Sequence, residues 1–159
     1  MAAAKRMGRN ETVANYEIDA AFRETLFGNT KLGERHAAAV LELSAGRDVQ
    51  YGAALALALA GAGDNRPQAL VDGLRRRFPE DTFVQFIYLP TIQAQLALEH
   101  HEPAKAIRVL QAAAPYELAS PGNLAVFAPY LYPIYVRGEA YLAAHQGSEV
   151  AAEFQKILH

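Results

Sequence analysis

At 159 residues, with no cysteine, no tryptophan and a formal charge of −2, the chain has the length of one modest domain and none of the groups that make disulfides, thiolate nucleophiles or zinc–thiolate sites. Hydrophobic residues make up 52% of it, of which 32 are alanine, and 20% are charged with the two signs nearly balanced. That composition excludes intrinsic disorder and leaves no net field that would recruit nucleic acid or an acidic membrane.

The opening MAAAKRMGR is basic but carries no apolar run of signal-peptide length before Asn10 and Glu11. Residues 1–10 are therefore expected to be a flexible N-terminal segment, with no direct membrane insertion and a cytoplasmic rather than periplasmic location. From residue 11 to 159 a single array of about four helix pairs is expected.

The first pair is predicted over 11–27 and 31–45. Val13, Ile18, Ala21, Phe22 and Leu26 recur close to helical spacing, Gly28-Asn29 breaks the run, and Thr30 is placed to cap the second helix of the pair. The second pair is predicted over 48–61 and 66–78, with Gly46 as a left-handed stop, Asp48 as an N-cap and Gly61-Ala62-Gly63-Asp64 as the inner turn. The large–small alternation of Leu55-Ala56-Leu57-Ala58-Leu59-Ala60 mimics a strand, but alanine favours helix and disfavours strand, and no partner strand is in sight.

The third pair is predicted over 81–100 and 103–114, with Asp81 as cap and Pro103 in a tolerated first-turn position. Pro90 lacks a backbone donor, which predicts a kink or a late start near Leu89. The fourth pair is predicted over 131–146 and 148–158, with Ser148 as N-cap. Between the last two pairs, Pro115 to Pro133 is the longest irregular stretch.

Helix pairs recurring at about forty residues suggest a repeat array. In the last pair, Gly138-Glu139-Ala140-Tyr141 is followed by Val150-Ala151 and Phe154, small residues each followed by an aromatic. This resembles a tetratricopeptide repeat. The third pair repeats the scheme with Ala94, Ala97, Ala106, Leu110 and Ala113, and the second keeps Ala54, Ala58, Val71, Leu74 and Phe78-Pro79. The physical content is close helix contact at small residues, with large ones filling the space to the next pair. The expected fold is thus all-α, a right-handed α–α superhelix of tetratricopeptide-like pairs; a globular bundle is the alternative.

The strings ALALALAGAGD, RRFPEDTFVQFIYLPTIQAQLAL, PAKAIRVLQAAAPYE and LYPIYVRGEAYLAAHQGSEVAAEFQKIL resemble the tetratricopeptide region of bacterial serine/threonine protein kinases, notably of acidobacterial type, over about Leu26 to Leu158. In that family the helical region follows the kinase domain and is an interaction or sensor region. The chain departs from the family in lacking the kinase domain and in ending at His159, where members usually continue into further helices. The resemblance implies a non-enzymatic scaffold binding a protein or peptide, or else a sensor region that binds a small molecule or controls a kinase partner. It also implies a concave groove lined by Tyr51, Tyr88, Thr91, Gln95, Tyr132, Tyr135 and Glu139. Simple core packing is the competing role for these residues.

Chemistry is otherwise sparse. Phosphoryl transfer needs a glycine-rich loop, a lysine and two aspartates in fixed context, and none occurs. Gly61-Ala62-Gly63 follows a helix rather than a strand and reads as a turn. Glu99-His100-His101-Glu102 is the densest set of possible metal ligands, but adjacent histidines on a helix diverge by about 100°, so a solvated helix end is expected and no metal or cofactor. Arg75-Arg76-Arg77 suits a helix C-terminus, and no nucleic acid is expected. Ser44, Ser120 and Ser148 have no partners that would make a nucleophile. Finally, Val150, Ala151, Phe154, Ile157 and Leu158 form an apolar stripe in the last helix, expected to be covered by a second copy of the chain, a homodimer through that helix, with an inward fold of Pro115–Pro133 or further residues as the alternatives.

Overall fold

The computed structural model describes residues 10–61, 63–118 and 131–158, and every regular element among them is helical. The expected flexible N-terminal segment and most of the Pro115–Pro133 stretch lie outside the described residues, although Asn10 already belongs to the first helix. The helices are α1 (Asn10–Leu26), α2 (Thr30–Leu43), α3 (Arg47–Leu59), α4 (Arg66–Arg77), a π-helical turn (Val84–Tyr88), α5 (Leu89–Glu99), α6 (Pro103–Leu110), α7 (Tyr132–Ala143) and α8 (Gly147–Leu158). They fall into two compact units, one up to Arg76 and one from Arg77.

In the first unit α1 packs on α2 and α3, which also touch each other. The contacts are set by glycines. A Cβ on Gly52 of α3 would fall within 2.8 Å of Ile18, and one on Gly33 of α2 would collide with Thr25 Oγ1, so both helices approach α1 at backbone distance. The alternating run of α3 is buried on all sides from Tyr51 to Ala58, as a helix apolar all round must be.

In the second unit α5 packs on α6 and α7, α6 on α7, and α7 on α8. Ala94, Ala97, Ala106, Leu110, Val136 and Ala140 form its core where α5, α6 and α7 meet. Gly138 faces Phe154 of α8 so closely that any Cβ would overlap the ring edge.

Three helix ends close in one way. After α1, Gly28 N–H donates to the Thr25 carbonyl at 3.0 Å and Asn29 N–H to that of Glu24 at 2.8 Å, with Gly28 left-handed at φ +86°. After α5, His101 and Glu102 donate to Leu98 and Ala97 at 2.9 and 2.8 Å; after α7, His145 and Gln146 donate to Leu142 and Tyr141 at 3.0 and 2.9 Å. Both histidines are left-handed, at φ 58° and 59°. This is the Schellman closure, in which two successive N–H groups satisfy the helix's last carbonyls.

Several expected caps are corrected. Gly46 is extended (φ −60°, ψ 153°) and stands at the N-cap of α3, while Asp48 lies inside the first turn and pairs with Arg47 at 2.7 Å. The chain needs no left-handed residue there because Ser44, extended at the end of α2, turns it by accepting the Gly46 N–H at 3.0 Å. Asn29, not Thr30, precedes α2, and α8 already begins at Gly147, ahead of Ser148. Asp81 caps as expected, its carboxylate accepting the Val84 N–H at 3.0 Å. Pro90 does not delay the helix to Leu89: the backbone is already helical from Thr82, and the turn before α5 widens so that the Leu89 N–H reaches the Val84 carbonyl, five residues back.

Candidate functional site

The seven groove candidates separate by burial. Tyr51 in the first unit is wholly buried, and in the second Tyr88 and Thr91 are buried as well, the Thr91 hydroxyl donating to the Ile87 carbonyl at 2.5 Å. These three side chains are interior and present no surface. Gln95 is half-buried on α5, and Tyr132, Tyr135 and Glu139 are half-buried on α7.

The three α7 residues share one face. At about 100° per residue, Tyr132, Tyr135 and Glu139 lie within an arc of about 60°, and Leu142, 55% exposed, borders it. The adjoining side of the helix is spent on the core through Pro133, Val136 and Ala140. Tyr135 packs its inner edge on the α5–α6–α7 core and sets its ring 6.2 Å from that of Phe154, tilted by 35°. Glu139 stands one turn further on. Burial pushes its carboxyl above the usual range, and burial together with the Glu139 charge raises the Tyr135 hydroxyl.

Sequence reasoning missed the strongest polar feature of the molecule. Arg137 of α7 is buried, and its guanidinium donates to both oxygens of Glu117 at 2.7 Å and to Glu153 of α8 at 2.6 Å. The three side chains are 6%, 4% and 9% exposed. Lys156, at the rim, lies 3.0 Å from Glu153 and 3.6 Å from Glu117. Burial pushes the Glu153 carboxyl up, but hydrogen bonds from Arg137 and Lys156 outweigh it and hold the carboxyl below its usual range. Burial likewise works against the charge on Arg137, and its two carboxylates reverse that. Two cations against two anions leave the cluster neutral, and all four carboxylate oxygens have a partner.

The same cluster shapes the last helix. Its one fully buried residue is Glu153, with Phe154 half-buried against Gly138, while Leu158 of the expected apolar stripe is 80% exposed. The spacing Glu117, Arg137, Glu153, Lys156 has no short-range signature; only the i, i+3 relation of Glu153 to Lys156 was available locally.

Elsewhere, His100 and His101 are exposed at the end of α5, Arg75 lies 3.8 Å from Asp72, and the Arg77 guanidinium stands 5.1 Å over the Phe78 ring. Among the described residues, no three histidine or carboxylate side chains group as metal ligands, and no helix is long and apolar enough to cross a membrane. Compared with protein-family models, with curated proteins and with solved structures, the chain matches none.

Proposed function

We propose that the chain is a non-enzymatic helical-repeat scaffold of tetratricopeptide type that binds a peptide segment of a partner protein, as the helical region of the kinases it resembles is expected to do. The observation that carries this reading is the second unit. Its two hairpins, α5–α6 and α7–α8, turn on the same left-handed histidine closure, and its middle helix α7 keeps an aromatic and acidic face half-open instead of burying it. Tyrosine suits such a face, since its ring supplies contact area at little entropic cost and its hydroxyl stays wet.

Selection of a random-peptide phage library on the immobilised protein tests the proposal. Convergent peptide families whose binding weakens in Tyr132→Ser and Tyr135→Ser support it. Failure of any family to converge, or convergence on peptides indifferent to both substitutions, refutes it.

A further inference from the structure

The charges of the second unit do not cancel. From Arg77 onward the sequence holds five Lys and Arg against eight Asp and Glu, a difference of −3. Two of the five cations, Arg137 and Lys156, are committed to Glu117 and Glu153, and a third, Lys105, is held by Glu102 at 2.6 Å. Glu139 receives none. It sits half-buried one turn beyond Tyr135, whose hydroxyl its charge disfavours, and among the described residues no cation pulls its carboxyl back down. A glutamine of the same shape would avoid that desolvation cost, so the free chain carries an unfavourable group that a cation would relieve.

We propose that Glu139, on the half-open face of α7 that also carries Tyr135 one turn and Tyr132 two turns before it, receives a lysine or arginine side chain of the partner peptide. This rests on the peptide-binding reading above and names the chemistry of its ligand. The carboxylate supplies a charge-assisted hydrogen bond in partly desolvated surroundings. The Tyr135 ring, steadied against Phe154, supplies a preformed aromatic surface over which a cation is attracted to the π face. The remaining acidic excess of the unit attracts a basic segment at longer range.

The experiment compares phage-selected peptides on the wild type and on Glu139→Gln, each confirmed folded by circular dichroism. Wild-type binders are expected to share a lysine or arginine at one position. A representative binder, followed by fluorescence polarisation, is expected to lose about tenfold or more in affinity when Glu139 becomes Gln, and a similar factor when its own cation becomes norleucine. If binders converge without a shared cation, or Glu139→Gln leaves the affinity intact, the cation proposal fails while peptide binding stands. If no peptide family converges on the wild type, both fail together.

Discussion

Replacing Arg137 by leucine should be among the most damaging single changes in the chain. The substitution removes three charge-assisted hydrogen bonds of 2.6–2.7 Å and leaves Glu117 and Glu153 buried, facing each other with only the rim cation Lys156 between them. Orphaning buried carboxylates in this way costs about 3–5 kcal/mol, most of it the penalty of uncompensated charge rather than the worth of the lost pair. For a chain of 159 residues each kcal/mol moves Tm by about 2–4 °C, so a fall of about 6 °C or more is expected in a calorimetric melt at pH 7. The pH profile separates charge from shape. In the wild type the Glu153 carboxyl is held below its usual range, so its contribution is present above the unfolded pKa and fades as pH falls through the folded one. In Arg137→Leu burial favours the protonated form of the orphaned carboxyls, so the gap between variant and wild type should narrow progressively as pH is lowered from 7. A third variant, Glu117→Leu, Arg137→Met and Glu153→Leu together, should recover most of the loss, because no charge remains unpaired. A melt of Arg137→Leu within about 1 kcal/mol of wild type at pH 7, or a gap independent of pH, would refute the reasoning.

Gly138→Leu should destabilise the second unit by about 1–3 kcal/mol or more, since a Cβ alone overlaps Phe154; an unchanged melting temperature would mean that α8 can move away freely. His101→Gly and His145→Gly should each raise stability by about 0.5–1 kcal/mol, because both side chains now hold a left-handed backbone that glycine adopts without strain, and chemical denaturation midpoints that fall instead would contradict this. Glu139→Gln should raise the melting temperature at neutral pH. The Glu139 carboxyl is raised in the folded chain, so the folded state binds the proton more tightly and stability declines as pH rises through that range; a variant with the wild-type profile from pH 4 to 8 would show the carboxylate to be well solvated.

Helix positions were legible because alanine-rich periodic runs are punctuated by glycine and proline, and the observed ends differ from the expected ones by only a few residues. Turn chemistry was less so. Gly28-Asn29 announced a break, but His101 and His145 adopt the same left-handed conformation as Gly28 with a residue type that carries little signal for it. Gly46 showed the reverse error, a glycine used for an extended link. In the site, Tyr132, Tyr135 and Glu139 were found on one face because spacing along a single helix is local information. Tyr51, Tyr88 and Thr91 were placed by analogy with that face, and only packing from other helices decides that they are interior. The Arg137 cluster joins residues 16 and 20 positions apart, beyond any helical period, so it becomes visible only once the chain is folded.

The widened turn at Val84–Tyr88 has a consequence for how one rod can serve two neighbours. A π turn accommodates one residue more than an α turn, which shifts the angular phase of everything after it by about 100° relative to an uninterrupted α-helix. Residues before and after it are released from a common stripe. Phe86 thus points outward, 40% exposed, and stacks on Tyr116 at 4.9 Å, while Tyr88, Thr91 and Ala94 turn into the interior within the next two turns. An unbroken helix of the same length would have to choose one phase for all of them. Proline at position 90 therefore works as a gear offset, letting a single continuous helix turn different faces inward before and after the widened turn.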